Sequence, residues 1–157
     1  MKIRQGLADD STWIVKLLIE GANEGHFGQS LKYQAEPFLQ SIIENGGINM
    51  VKLRETIQAA IFVPMELSVA EIEGTPASFL ICCKDNNEVE VHLAATLESF
   101  KRKGCFNKLV SATIINHKKS RIYARCYKKS TLAVNGLKKL NFKITKSGDP
   151  IELTLSK

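Results

Sequence analysis

No apolar run in the chain approaches the ~20 residues needed to span a bilayer, and the opening Met-Lys-Ile-Arg-Gln-Gly contains no apolar signal region. Membrane insertion and export are therefore not expected, and the expected compartment is the cytoplasm. Cysteine is sparse, and Cys82, Cys83, Cys105 and Cys126 form no C-x-x-C pair. On a strand the adjacent Cys82 and Cys83 point to opposite faces. That spacing speaks against a zinc site, so no metal is expected, and reduced thiols fit an intracellular protein. Linker-like stretches, internal repeats and low-complexity tracts are absent, so residues 1–157 are expected to form one domain. Acidic residues are the minority: 22 Lys+Arg against 16 Asp+Glu leave a formal charge of +6, concentrated after Lys101. Such a bias favours anionic partners, from phosphorylated small molecules to nucleic acid.

Hydrophobic periodicity outlines the elements. Lys2 to Leu7 suits a short strand, and Asp9-Asp10-Ser11 offers side-chain oxygens to cap the helix that follows. Ile14, Leu17, Leu18 and Ala22 recur at helical spacing. Glu24 to Ser30 is expected to be a loop carrying His26 and Phe27. Pro37 opens a second helical pattern through Phe38, Ile42 and Ile43, closed by Gly46-Gly47. From Ile48 to Val63 the pattern is ambiguous, with Leu53, Ile57, Ala60 and Ile61 suiting a helix. Glu66–Glu73, Ala77–Lys84 and Glu88–Thr96 read as three strands of an antiparallel meander, turning at Gly74-Thr75-Pro76 and Asp85-Asn86-Asn87. A helix is expected from Gly104 to His117, on a face built from Phe106, Leu109, Val110 and Ile114. As a crossover it makes the next strand, Arg121–Tyr127, parallel to the strand ending at Thr96. A helix from Ser130 to Leu140 and a strand from Ile151 to Leu155 complete the chain. Asn135-Gly136 is a hairpin signal inside that last helix; Ala133, Leu137 and Leu140 continue the helical face through it.

Lys101-Arg102-Lys103-Gly104-Cys105-Phe106-Asn107 stands at a strand-to-helix junction. Three cations, a flexible glycine and the unpaired N–H groups of a helix start together form a cradle for phosphate, although such a cluster also suits a solvated loop. Further on, Ser130-Thr-Leu-Ala133-Val-Asn-Gly-Leu137-Lys-Lys-Leu-Asn-Phe142 follows the second parallel strand. This order of elements resembles the GNAT superfamily of N-acetyltransferases over about Glu66 to Ile144. The family's Gln/Arg-x-x-Gly-x-Gly/Ala aligns with Lys101, Gly104 and Phe106. Its Asn-x-x-Ala-x-x-x-Tyr-x-x-x-Gly-Phe retains Ala133 and Phe142.

The resemblance implies a mixed α/β (α+β) fold, with a mostly antiparallel central sheet flanked by helices and a parallel strand pair that splays apart. It implies acetyl-CoA as co-substrate, and direct transfer of the acetyl group to a primary amine of a small molecule or protein. Lys101, Arg102, Lys103, Gly104, Cys105, Phe106 and Asn107 would hold the pyrophosphate. Backbone groups of Ala94, Ala95 and Thr96 would pair with the pantetheine arm, and Ser130 would reach the cofactor. Glu90, fourteen residues before Gly104, falls where the family places a catalytic glutamate. Strand alternation puts Glu88, Glu90 and His92 on one face, running toward Ala94 and Thr96. His92 is the alternative base, because free imidazole titrates near neutrality; a solvated strand face is the structural reading of the same residues. The family's thiolate-protonating tyrosine position is Leu137 here, which leaves Tyr127 or Cys126, just upstream, to substitute. Phe106, where the family keeps a small residue, and Leu137 together motivate an alternative: a catalytically inactive acyl-CoA-binding or regulatory module. A third reading, nucleic-acid binding through Lys118, Lys119, Arg121, Arg125, Lys128 and Lys129, lacks interleaved stacking aromatics and is not expected. The acceptor amine is unknown from the sequence, and a homodimer is compatible with the resemblance.

Overall fold

The computed structural model describes residues 1–54 and 57–157. Twelve principal elements follow in chain order. They are β1 (Lys2–Gln5), α1 (Ser11–Asn23), α2 (Leu31–Asn45), β2 (Gly47–Arg54), β3 (Ile57–Ile72) and β4 (Thr75–Asp85), then β5 (Glu88–Thr96), α3 (Cys105–Asn116), β6 (Arg121–Cys126), α4 (Thr131–Lys139), β7 (Phe142–Lys146) and β8 (Ile151–Leu155). The strands form one sheet in the order β1-β3-β4-β5-β6-β8-β7, with β2 pairing β3 off that path. Every pairing is antiparallel except β5 with β6. The expected mixed sheet with its single parallel pair is the observed one.

Two apolar layers sandwich the sheet. On one face α1 and α2 bury Ile14, Leu18, Leu39 and Ile42 against Val69, Phe79, Ile81 and Leu93. On the other, Leu109 and Val110 of α3 and Leu137 of α4 pack on Leu80, Val91, Ile122 and Leu153. Residues 77–82 of β4 are buried without a break, as a central strand covered on both faces must be. Each such side chain contributes ~1.5–3 kcal/mol on leaving water.

Four sequence expectations are corrected. Residues 47–54 and 57–64 form a β-ribbon, not a helix, with Gly47 opposite Pro64 and Arg54 opposite Ile57; residues 55 and 56 lie outside the described residues. The ribbon exposes Met50, Val51 and Phe62, so its apolar residues do not all fall on a buried face and the apolar pattern is blurred. Helix α2 begins at Leu31, six residues before Pro37, because Leu31 and Ala35 extend the buried stripe backwards. Pro37 and Tyr33, the residue whose carbonyl loses its helical donor, both face solvent, where water replaces that bond. The Asp10 side chain does not cap α1. It accepts from the Leu7 N–H at 2.8 Å, Trp13 Nε1 at 3.1 Å and both terminal nitrogens of Arg4 at 2.8 and 2.9 Å. Finally β7, which sequence reasoning omitted, forms the sheet edge beyond β8.

The conflict at Asn135-Gly136 resolves as helix, and the reason is packing. A Cβ built on Gly136 would lie 3.1 Å from two carbons of the Phe106 ring and 3.2 Å from Asn107 Oδ1. Glycine lets α4 approach the first turn of α3 that closely. Replacing Gly136 with valine adds branched carbons at this contact, and overpacking outweighs the gain in helix propensity. We expect a loss of ~1–3 kcal/mol, read from the urea midpoint at unchanged m-value.

Candidate active site

The parallel pair comes apart. β5 pairs with β6 only from Glu88–Val91 to Arg121–Ala124. Beyond that point β5 stays with β4 as far as Thr96, while β6 continues on β8 through Arg125 and Cys126. The edge of residues 92–96 that faced β6 therefore carries no ladder bond to it, and a fork opens between Ala94-Ala95-Thr96 and the end of β6.

His92 sits at the crotch of this fork as the extra residue of a β-bulge, since Ile81 pairs with Leu93 but Cys82 with Val91. The bulge reverses the alternation beyond it. Glu90 shares a face with Cys83, Leu93 and Ala95, whereas Ala94 and Thr96 fall on the opposite face with Leu80 and Ser78. The expected single face from Glu88 to Thr96 is thus corrected. His92 still meets Glu90, with Nδ1 2.7 Å from Oε1. The other oxygen, Oε2, accepts from Arg125 Nε at 2.9 Å and Nη2 at 2.6 Å. Sequence reasoning had read Arg125 only as surface charge. The available signal was the strand's alternation of Arg121, Tyr123 and Arg125 with buried Ile122 and Ala124.

Glu90 is 5% exposed. Burial works to raise its carboxyl, but the hydrogen bond and charge of His92, followed by those of Arg125, outweigh burial and hold it below the ordinary carboxylate range. The neighbours go the other way. Burial, reinforced by Glu90, pushes Cys83 and Tyr123 up to about 12 and Cys126 up to about 11. Protonated thiols are poor nucleophiles, which opposes an acyl-cysteine intermediate. Cys83, Glu90 and His92 bring ligand atoms within 4.8 Å of one another, close enough for a metal-binding set. Both Glu90 oxygens are already engaged, however, and Arg125 places a positive charge beside them. The cluster is built as an ion-paired hydrogen-bond chain.

The cradle follows β5. Gly104 stands at the N-cap of α3 with φ 81°, in the left-handed region, and no side chain caps the helix. Arg102 is also left-handed, at φ 66°. The first helical bond runs from the Lys108 N–H to the Gly104 carbonyl at 3.0 Å, so the N–H groups of Cys105, Phe106 and Asn107 have no partner within the helix. Lys101, Arg102 and Lys103 are exposed. Lys101 pairs with Glu98 at 2.7 Å, and the Lys103 ammonium lies 5.5 Å from the Phe100 ring centre. Cys105 is buried, leaving only its backbone for a ligand. Phe106 is half-buried and turned onto Gly136 and the core, and Asn107 turns its oxygen the same way. The bulky residue in the motif's small position thus packs between helices.

Ser130 occupies the N-cap of α4 without making a side-chain cap. Its hydroxyl instead meets His26 Nδ1 at 2.7 Å, tying the α1–α2 loop to this corner. Tyr127 is half-buried just past β6, and its carbonyl accepts the Ser130 N–H at 2.9 Å. Leu137 is fully buried in the core. Arg121, counted among the surface cations, bonds Glu88 at 3.3 Å and Glu152 at 3.1 Å. Among the described residues, no helix is long and apolar enough to cross a membrane.

No protein-family model and no curated protein matches the sequence. Solved structures do match in shape along the whole chain. An N-acetyltransferase from Staphylococcus aureus Mu50 superposes with a TM-score of 0.68 at 15% identity, covering 99% of this chain and 100% of that one. The PaiA N-acetyltransferase from Thermoplasma acidophilum, in complex with coenzyme A, gives 0.69 at 11% identity, with 99% and 98% covered. An acetyltransferase of the GNAT family from Streptococcus pneumoniae gives 0.64 at 14%, with 98% and 95% covered. At such identities the likeness concerns architecture, and with the bulged, forked parallel pair and the glycine-started helix it is specific: the chain has the GNAT N-acetyltransferase fold.

Proposed function

We propose that the protein transfers the acetyl group of acetyl-CoA to a primary amine by direct attack. The observation that carries this reading is the fork at His92, where a parallel sheet opens an unpaired strand edge directly before a helix start suited to phosphate. In this reading the N–H groups at Cys105, Phe106 and Asn107 receive the pyrophosphate, helped by the charges of Lys101, Arg102 and Lys103. The left-handed turn at Gly104 aims them, and the inward ring of Phe106 leaves their approach clear. The free edge of Ala94-Ala95-Thr96 pairs with the pantetheine arm and brings the thioester carbonyl into the fork. Ser130 flanks the same ligand from α4.

Direct attack needs an unprotonated amine and a protonated leaving thiolate. The Glu90–His92 pair takes a proton from the substrate ammonium. The amine nitrogen then forms its bond to the carbonyl carbon, and the C–S bond breaks with its electron pair on sulfur. Tyr127 supplies the thiolate's proton and recovers one from the new amide nitrogen, and the proton held by the pair passes to solvent. The acceptor enters beside the α1–α2 loop, past His26 and Phe27. Burial holds the Cys83 and Cys126 thiols protonated, which supports this single-displacement course.

The test is thiol release from acetyl-CoA across a panel of small primary amines and peptide N-termini. Amine-dependent release above spontaneous hydrolysis is expected. A rate that no amine raises would contradict the reading, and binding of acetyl-CoA without turnover would favour the inactive module instead.

A further inference from the structure

Within that reading, two residues share the work of the base, and a third has no assigned role. We infer that Arg125, Glu90 and His92 form an ordered relay in which His92 Nε2 accepts the substrate proton, Glu90 is its positioning carboxylate, and Arg125 fixes Glu90. This rests on the acetyl-transfer proposal for its substrate and on hydrogen-bond geometry for its direction.

The chain of hydrogen bonds begins at Glu90 Oε2. Two donors from one guanidinium, at 2.9 and 2.6 Å, fill that oxygen and pin the carboxylate plane. Oε1 is then the oxygen presented to the imidazole, at 2.7 Å from Nδ1. A carboxylate only accepts, so Nδ1 carries the ring proton and Nε2 holds the lone pair. Glu90 itself is poorly placed to take a proton from substrate. It is buried, both oxygens are occupied, and its two partners stabilise its ionised form. The His92 side chain, by contrast, is 36% exposed and stands where the strands part. After it takes the proton, the imidazolium faces an ionised carboxylate, the arrangement that stabilises the charge.

Other groups near the pair do not compete with it. Cys83 reaches it from β4, and Tyr123 and Cys126 from β6; burial keeps all three protonated at neutral pH. Glu88, on the same strand, is bonded to Arg121. His92 is the extra residue of the bulge, and its imidazole meets the Glu90 carboxylate from that position.

The first test needs no acceptor. Nitrogen-resolved NMR of the imidazole in the free protein should show Nδ1 protonated and Nε2 bare. That preference should fade in Glu90→Gln and in Arg125→Met, and survive in part in Arg125→Lys, which keeps the charge. A ring protonated on Nε2, or a preference indifferent to both substitutions, overturns the relay. The second test uses acetyl-CoA with n-butylamine as the probe. His92→Gln should lower kcat by ~10²–10⁴-fold with little change in the KM for acetyl-CoA. Its rate should then rise only at the alkaline pH where butylamine deprotonates unaided, whereas wild type turns over near neutrality. Glu90→Gln and Arg125→Met should show smaller losses of kcat in the same direction. Wild-type turnover that His92→Gln leaves unchanged overturns the relay alone. If wild type does not turn over butylamine, the comparison is made with an amine that the panel above identifies; a panel in which no amine raises the rate contradicts the amine-transfer proposal, while the NMR result still decides the hydrogen-bonded order.

Discussion

Gly104→Asp should weaken acetyl-CoA binding by about two orders of magnitude while leaving the fold intact. Two effects meet at this position. The backbone is left-handed, at φ 81°, which disfavours a side chain, but aspartate and asparagine tolerate that region better than other residues. Space is no obstacle, for a Cβ there meets nothing within 4 Å. The second effect is charge. A carboxylate about 5 Å from one phosphate charge, at an effective dielectric near 20, costs about 3 kcal/mol, and every 1.4 kcal/mol is tenfold in affinity. Gly104→Asn is the matched control, carrying the same backbone demand without the charge. Calorimetric titration should place the asparagine variant within about tenfold of wild type and the aspartate variant about 100-fold weaker. Equal affinities for all three proteins would mean that the anion lies elsewhere.

The largest effect on stability is expected where β1 leads into α1. Asp10 has a side chain 3% exposed, paired to Arg4 at 2.8 Å. It also holds Leu7 and Trp13, and through Trp13 it touches the core, where the indole meets Phe79 edge-on with centroids 6.1 Å apart. Asp10→Ala removes the acceptor and leaves Arg4 with Glu71 at 3.2 Å and the Gln5 carbonyl at 3.0 Å. Leaving the Leu7 and Trp13 N–H groups without their acceptor costs ~1–3 kcal/mol each, and the lost Arg4 pair adds to it, roughly 10 °C in Tm at this size. Trp13 is the chain's one tryptophan, so its fluorescence reports both the local change and the unfolding midpoint.

The same site gives a pH signature. The hydrogen bond from Arg4, chief among the causes, holds the Asp10 carboxyl below its ordinary value. A depressed carboxyl stabilises the fold above its unfolded value, ~3.9, and loses that contribution as pH falls through the lower folded value. The stability gap between wild type and Asp10→Ala should therefore be constant at neutral pH and narrow only in acid, below about pH 4. Glu66 and Glu90 have the same sign, so wild type as a whole should lose stability in that acid window.

What the sequence disclosed follows from what leaves a mark on letters. The meander from Glu66 to Thr96 was legible because alternation and an Asp-Asn-Asn turn coincide there. The helix start at Gly104 was legible because a glycine preceded a helical apolar face. The bulge at His92 was not, since an inserted residue without a glycine changes no local pattern, and it reversed the face assigned to Ala94 and Thr96. Arg125 escaped notice because its partner is 35 residues away, across a parallel register that only the fold establishes. The contact of Ser130 with His26 was not legible, because the two residues are 104 positions apart. In α2 the proline signal outweighed the stripe that continues behind it. In the 47–64 ribbon and the β7 edge, exposure on both sides blurred the contrast that periodicity depends on. Phe106, placed on the apolar face of α3 from the sequence, packs its ring on Gly136, a neighbour that the sequence does not disclose.

The central claim is that acetyl-CoA occupies the fork between β5 and β6 with its phosphates at the start of α3. Amide chemical-shift mapping on addition of acetyl-CoA tests it residue by residue. The account predicts saturable shifts at Ala94, Ala95 and Thr96 together with Lys103 to Asn107, and at Ser130 on the flank. Absence of saturable shifts, or shifts confined to the basic corner of Lys118 and Lys119, would contradict it.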